Sequence, residues 1–572
     1  MTPPFLALLS LFLALAIRSA WAQEGGTAAA SQVTSTSSKV WAAVAFINHG
    51  DTTPFLLRSH PALTPDGAQQ LYRQGKQFRS RYLAPSATAK NGTSDAAPIQ
   101  GMRQDGIDNT QLRILSQTDE WVVGGALAFT QALYPAFNAT AAGESVNRST
   151  YPLGGYQYPQ IETLAVTDAN SIGLQGHVGC PTWQNAATTN LTTNPALKDA
   201  AQDSADFYAK LFSSGPLKGA LPADEANLFN AYDIYNLVRW TSLYNASAFA
   251  GQLDINATLT RLAADAFTMA RAKSDPSSST ANDTAGVTLT VAGRTLAKLV
   301  TDELSRVANQ TTGSTFGRMT LLFGSFQPLM ALFSIAGLLT RDNVLGTPIG
   351  NVTAPGAAIV FELVGQDPTN ANSLPKHEDL SVRFVYRPTA DEKDTFQVFS
   401  LFGSGNGGQT IPYLAFRDKM YTVGRDAADW CQICKPGAEN KWCQGVLSSA
   451  GAGAGAFGRS QMSPALAGVI GALIMGALIA MAVFALCGLG GLRLRRRDGD
   501  SDASGAEKRD PDHDVRYGSG GDPQERVGSW EMRGQPQGQA RHGGVQQPRN
   551  PFDDDAGSDV DGAVPVKARE GF

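Results

Sequence analysis

The 572-residue chain has little excess charge, few cysteines and few histidines. Its 46 basic residues are slightly outnumbered by 51 acidic ones, for a formal net charge of −5, which offers nucleic acid no electropositive surface. The five cysteines and six histidines show no zinc-site spacing, and no glycine-rich loop suited to cradling a phosphate is present. The sequence therefore predicts no metal, no cofactor and no nucleic-acid partner.

Two apolar segments predict how the chain meets a membrane. Residues 1–22 are typical of a signal peptide, with a short apolar core and small residues at the cleavage site, although no Lys or Arg precedes that core. Residues 464–489 carry no charge and are long enough to span a bilayer. Four arginines within 493–497 follow, which favours a cytoplasmic C-terminal side. We expect a single-pass type I protein of the plasma membrane or an endomembrane.

Asparagines in Asn-x-Ser/Thr sequons support the same orientation. All of them precede the predicted span, as expected for an extracellular or lumenal region that is glycosylated. The sequon residues are Asn91, Asn138, Asn147, Asn190, Asn245, Asn256, Asn282, Asn309 and Asn351.

Four cysteines also precede the span, at Cys180, Cys431, Cys434 and Cys443. An oxidising compartment favours structural disulfides between them. Four cysteines allow three pairings, and the sequence does not choose among these. A local bridge from Cys443 to Cys431 or to Cys434 fits the short spacing.

Composition divides the chain into segments. We expect an α/β sheet core from residues 38–135 and 315–445, with 136–314 inserted as a mainly helical cap because helical apolar spacing recurs there. The Gly/Ala-rich segment 446–463 is typical of a flexible stalk. Residues 490–572 are rich in Gly, Asp, Arg, Gln and Pro, which predicts a disordered cytoplasmic tail.

The most informative stretch is an apolar run at 40–47 that ends in Asn48-His49-Gly50. A continuous apolar run is typical of a strand buried on both faces. Polar residues just beyond the carboxyl end of such a strand lie where open α/β sheets bind ligands. His49 is therefore a candidate site residue.

This stretch resembles the Arg-His-Gly-x-Arg-x-Pro signature of the histidine acid phosphatases, the acid phosphatase and phytase branch of the histidine phosphatases. His49, Gly50 and Pro54 match. Further segments at 63–82, 126–135, 321–338 and 401–413 are similar to other parts of that family. The resemblance implies a phosphoglycerate-mutase-like α/β sheet domain with an inserted helical cap. With the predicted C-terminal transmembrane helix, the chain looks like a divergent, membrane-anchored fungal member.

The resemblance also assigns roles, and the chain departs from most of them. The family forms a phosphohistidine, for which His49 holds the nucleophile position. Asn48 and Thr52 stand where two phosphate-binding arginines belong, Trp121 falls near the third arginine, and a His-Asp pair is replaced by Ser325 and Phe326. Phosphoryl transfer needs fixed charges around the phosphate oxygens. We therefore expect a degenerate phosphate site.

Three functions remain open. The leading hypothesis is a non-catalytic ectodomain that binds or senses an unknown extracellular or lumenal ligand. The alternative is an active acid phosphomonoesterase or phytase-like hydrolase that uses His49, with a replacement acid in Lys376-His377-Glu378-Asp379, although a charged tetrapeptide before a strand is usually a solvated loop.

The third hypothesis is a trafficking receptor defined by its tail. Asn550-Pro551-Phe552-Asp553-Asp554 resembles the Asn-Pro-Phe-x-Asp endocytic sorting signal of fungal membrane proteins. The Asn-Pro turn presents one aromatic ring to a pocket, flanked by carboxylates such as Asp554. This motif predicts an endocytic adaptor as a cytoplasmic partner.

Overall fold

The computed structural model describes the chain between residues 31 and 451, with gaps. The described ranges are 31–32, 38–57, 60–84, 96–136, 152–249, 254–277, 286–310, 314–366, 374–403, 409–437 and 440–451. The predicted signal peptide at 1–22, the span at 464–489 and the tail at 490–572 lie outside these ranges. Within them, every helix is too short or too polar to cross a membrane.

A mixed sheet lies at the centre of the described chain. Its strands are β1 (Ser31–Gln32), β2 (Lys39–Asn48), β3 (Leu112–Gln117), β4 (Ile161–Leu164), β5 (Met319–Gly324), β6 (Ala358–Gly365), β7 (Leu380–Arg387), β8 (Gln397–Phe399) and β9 (Ile411–Pro412). They are ordered β1-β8-β7-β6-β2-β5-β3-β4, and β9 pairs with β7. The strands β2, β5, β3 and β4 are mutually parallel, whereas β6, β7 and β8 pair antiparallel.

Helices fill the connections between these strands. They include α1 (Pro65–Phe78), α2 (Glu120–Leu133), α3 (Ile172–Gln175), α4 (Pro181–Asn185), α5 (Pro195–Ser213), α6 (Ala231–Tyr244), α7 (Ile255–Ala272), α8 (Val291–Ala308), α9 (Phe326–Ile335), α10 (Arg341–Gly346), α11 (Tyr413–Val423), α12 (Ala427–Cys434) and α13 (Trp442–Gly451). The last of these extends to Gly451, inside the segment expected to form the stalk.

Strand β2 is covered on both faces, which accounts for its unbroken apolar sequence. Ala43, Ala45 and Ile47 share a buried cluster with residues of α1 and α2. Val44 and Phe46 point the other way and share a cluster with α8 and α9. The predicted α/β class is thus confirmed as a mixed α/β fold with a central sheet.

The helices α5, α6 and α7, called the cap helices below, have an apolar cluster of their own. Tyr208, Ile234 and Leu262, one from each helix, are buried together. Two other elements of segment 136–314 belong instead to the sheet layer: β4 pairs with β3, and α8 packs on the central cluster.

The cysteines form two disulfides, as the sequence predicted. Cys180 pairs with Cys434, and Cys431 pairs with Cys443. The second bridge is one of the two local alternatives. All four cysteines lie in a small buried cluster with tryptophans, so the bridges fasten α12 to the region before α4 and to α13.

The described sequon asparagines are all exposed. They are Asn190, Asn245, Asn256, Asn309 and Asn351. The remaining four, Asn91, Asn138, Asn147 and Asn282, lie outside the described residues. Exposure leaves the described side chains accessible to a glycan, and their glycosylation stays a prediction.

Candidate functional site

The carboxyl ends of β2, β5 and β3 bring the candidate residues to one edge of the sheet. Asn48 ends β2 in register with Gly324, the last residue of β5, and the His49 N–H donates to the Gly324 carbonyl at 2.9 Å. Ser325 comes next after Gly324. The strand β3 lies on the other side of β5 and leads into α2, which begins beside Trp121. We call this edge the strand-end site.

His49 is buried, and a contact with the neighbouring backbone helps to orient its ring. Its Nδ1 lies 2.7 Å from the carbonyl oxygen of Gly50. A carbonyl only accepts hydrogen bonds, so Nδ1 carries a proton, and a neutral ring would have its lone pair on Nε2. This is the tautomer that a histidine nucleophile or hydrogen-bond acceptor needs at Nε2.

The loop after β2, residues 49–54, packs closely against the start of α1. A Cβ on Gly50 would overlap the carbonyl of Gly67, and a Cβ on Gly67 would overlap the backbone of Asp51. Thr64 caps α1 by accepting from the Gly67 N–H at 3.0 Å. Both glycines are therefore required by this close approach, which holds His49 in place.

Asn48 and Thr52, at the two expected arginine positions, are held in different ways. The Asn48 amide nitrogen donates to the carbonyls of Thr353 at 3.3 Å and Ala354 at 2.9 Å, on the loop before β6. Its Oδ1 is buried and has no partner among the described residues. Thr52 is half-buried and forms a backbone bridge to Leu63.

Trp121 and Ser325 are also buried with polar atoms that lack partners within the described part of the chain. The atoms are Trp121 Nε1 and Ser325 Oγ. Phe55, the residue that follows the loop after β2, contacts the Trp121 ring edge-on at 5.7 Å between centroids. Phe326 contacts Tyr232 of α6 at 4.4 Å between centroids. Aromatic rings from beside the loop and from the cap thus adjoin the strand-end site.

An ion pair that the sequence analysis missed joins the cap to this site. The Asp51 carboxylate is fully buried and accepts from Thr64 Oγ1 at 3.0 Å and from a guanidinium nitrogen of Arg239 on α6. The Arg239 Nε has no partner among the described residues. Asp51 lies two residues after His49, so the motif around His49 could have indicated it as a site residue. No sequence feature indicated Arg239, because a lone arginine on an amphipathic helix is usually a surface residue.

A second cation lies where α6, α7 and α9 meet. Burial lowers the pKa of Lys273, and the nearby Asp233 carboxylate opposes that shift. Gln327 of α9 donates to Ser274 Oγ at 2.9 Å and to the Lys273 carbonyl at 3.5 Å. Arg239 and Lys273 thus each have a carboxylate nearby.

The charged tetrapeptide 376–379 lies at the other end of the sheet. It leads into β7, whose first residue, Leu380, pairs with Gly365, and Gly365 in turn pairs with Lys39 at the start of β2. His377 Nε2 is 3.0 Å from the Ala308 carbonyl. The tetrapeptide therefore supplies no replacement acid next to His49. No group of three or more potential metal ligands occurs within the described ranges.

Among the known proteins compared with this chain, similarity is found only to solved structures. No family model matches the chain, and no curated protein matches it. Phytase from Klebsiella sp ASR1 is similar at 12% identity over 69% of this chain and 97% of that one, with a TM-score of 0.45. Citrobacter braakii phytase has 14% identity over 68% and 98%, with a TM-score of 0.41. Bifidobacterium longum multiple inositol polyphosphate phosphatase, in complex with inositol hexasulfate, has 11% identity over 70% and 95%, with a TM-score of 0.40.

Proposed function

We propose that the chain is a single-pass membrane glycoprotein whose ectodomain is a non-catalytic binding or sensing module. In this proposal the ectodomain is a divergent, fungal relative of the histidine acid phosphatases. The motifs around His49 and along α1 and α2 support the relationship, and the apolar segments and one-sided sequons support the membrane topology.

One observation carries the non-catalytic assignment: the strand-end site has neutral side chains where phosphate chemistry needs charges. These are Asn48, Thr52, Trp121, Ser325 and Phe326. Loss of a single well-placed oxyanion donor typically costs about 10²–10³ in rate. Several such groups are replaced together here, and the acid is replaced as well.

The guanidinium that the cap does supply is already neutralised. Arg239 pairs with the buried Asp51 carboxylate, so a phosphate dianion brought to it would also meet that negative charge. A phosphate site needs cations in excess of the carboxylates around it. This balance favours binding without turnover.

An active phosphomonoesterase is the second candidate, and the His49 tautomer favours it. With Nδ1 donating to the Gly50 carbonyl, a neutral His49 ring would have on Nε2 the lone pair that a nucleophile needs. The Nε of Arg239, which has no partner among the described residues, would then be the remaining donor for a phosphoryl oxygen.

Hydrolysis of p-nitrophenyl phosphate by the purified full-length protein, from acid to neutral pH, separates the two functions. We expect no turnover above that of a His49→Ala variant. The matched control is His60→Ala, which changes an exposed histidine in the same region. Turnover that His49→Ala abolishes and His60→Ala retains would establish the enzyme and defeat the proposal.

A further inference from the structure

The cap helix α6 ends in apolar side chains that face solvent. Leu243 and Tyr244, its last two residues, are 57% and 46% exposed. The half-buried Trp240 lies one turn earlier, with its ring centroid 5.4 Å from that of Tyr244. Single exposed apolar residues are ordinary on a protein surface, whereas a contiguous group of them often marks a surface that something else covers.

A predicted glycan acceptor comes directly after this group. Asn245 is the C-cap residue of α6, and it begins the sequon Asn245-Ala246-Ser247. Asn245 is exposed, and its Oδ1 accepts from Ser247 Oγ at 3.1 Å. The Ala248 N–H donates to the Asn245 carbonyl at 2.9 Å, so the sequon is folded as a turn at the helix end. A sugar on Asn245 Nδ2 is thus bonded to the residue next to Tyr244.

The end of α8 repeats this arrangement. Asn309 is its exposed C-cap residue and begins the sequon Asn309-Gln310-Thr311. Phe316 is 51% exposed, and the Arg306 guanidinium carbon lies 5.3 Å from the centroid of its ring. The Gln310 side chain donates to the Phe316 carbonyl at 2.6 Å. Since Arg306 and Asn309 are three residues apart, an exposed ring again lies beside a sequon.

The N-acetylglucosamine that begins an N-linked glycan suits such side chains. One face of its ring consists of C–H groups, and its acetamide ends in a methyl group. These surfaces pack on aromatic and aliphatic side chains, while the hydroxyl groups at the ring edge stay in water. A protein partner at the same surface would have to avoid a bulky, solubilising glycan. The adjacent glycan is therefore the occupant that the position of the sequons favours.

We propose that the N-glycan on Asn245 packs its first sugars over Leu243 and Tyr244, and that the N-glycan on Asn309 packs over Phe316. Each glycan shields an exposed apolar surface from water and from other proteins. The inference rests on the proposed glycoprotein function and gives two of the predicted glycans a role in the folded ectodomain.

Nitration of tyrosines by tetranitromethane tests the contact at α6, on full-length, detergent-solubilised protein from a secretory host. Tyr421 is the internal reference, because it is 44% exposed and lies beside Lys298 in the middle of α8, away from the sequon at its end. We expect Asn245→Gln to speed nitration of Tyr244 roughly fivefold, the factor for an aromatic contact of about 1 kcal/mol. Nitration of Tyr421 should not change. Peptide mass spectrometry measures the nitration and the glycan occupancy of Asn245 together.

The matched control is Asn190→Gln, which removes a different exposed sequon. The structure describes all of residues 167–242, and it leaves no large apolar side chain exposed among them. Asn190→Gln should therefore leave the nitration of Tyr244 unchanged.

Urea denaturation tests the contact at α8. Phe316→Ala should destabilise the parent more than it destabilises the Asn309→Gln variant, because only the parent has a sugar to lose from the ring. Additive effects of the two changes would overturn this contact.

Three results would overturn the contact at α6. They are equal nitration of Tyr244 in the parent and in Asn245→Gln, equal acceleration by Asn245→Gln and Asn190→Gln, and an unoccupied Asn245 in protein that has a glycan on Asn190. The last of these would leave the extracellular or lumenal orientation standing. Absence of glycans from every sequon would overturn the glycoprotein part of the proposed function itself.

Discussion

Replacing Ser325 by alanine should stabilise the unliganded protein. Ser325 is the N-cap residue of α9, with φ −94° and ψ 171°, yet its side chain makes no capping hydrogen bond. Its hydroxyl is buried without a partner among the described residues. The serine therefore bears the cost of desolvation and makes no compensating contact.

The sign of this prediction is opposite to the usual effect at a helix start. Replacing an N-cap serine by alanine ordinarily costs about 1 kcal/mol because a cap hydrogen bond is lost. At Ser325 no such bond exists, and removing an unpaired buried hydroxyl recovers part of a penalty of about 1–3 kcal/mol. We expect a net gain of about 1 kcal/mol in the free energy of unfolding.

Urea and thermal denaturation of parent and variant, without added ligand, measure this gain. A shift of about 1 kcal/mol corresponds to roughly 2 °C in Tm for a domain of this size. The matched control is Asn194→Ala at the start of α5, where the side chain accepts from the Leu197 N–H at 3.2 Å. That variant should lose about 1 kcal/mol.

One result would refute the reasoning. A loss of stability in Ser325→Ala equal to that of Asn194→Ala would mean that the hydroxyl has a partner in solution.

Arg239→Ala should cost about 3 kcal/mol in urea denaturation, because it leaves the buried Asp51 carboxylate uncompensated. Adding Asp51→Asn should recover part of that loss, and no recovery would mean that the pair is not coupled. Burial raises the pKa of Glu362, but Arg81 and a second guanidinium outweigh burial and hold this pKa below its ordinary value. The stabilisation that ionised Glu362 gives the fold is fully present above the pKa of this carboxyl in the unfolded chain, and it is lost as pH falls through its pKa in the folded protein. Glu362→Gln should therefore flatten the acid limb of the curve of stability against pH. Glycosidase treatment should lower the apparent mass of the protein, expressed in a secretory host, by several glycans. An unchanged mass would contradict the prediction that residues 23–463 are extracellular or lumenal. Phe552→Ala should slow internalisation of a tagged protein in a fungal cell, and unchanged rates would leave the tail motif without a role.

Local pattern was sufficient to predict the strand that ends just before His49. An unbroken apolar run needs cover on both faces, and β2 has that cover from helices on either side. The resemblance of several segments to one family predicted the α/β class, and the even number of cysteines before the predicted span predicted disulfides. The strand depends on residues that are neighbours in the sequence, and disulfide formation depends on the compartment. Both can be inferred from the sequence alone.

The tertiary structure decided which distant groups meet. Arg239 is 188 residues from Asp51, and Cys180 is 254 residues from Cys434. Neither partner has a periodicity or a motif that points to the other, because such pairs form when the packing of cap and sheet brings separate elements together. The sequence also showed that Ser325 is neutral where a charge was expected. Whether its hydroxyl is buried and unpaired depends on every element around it, and only the folded chain specifies that.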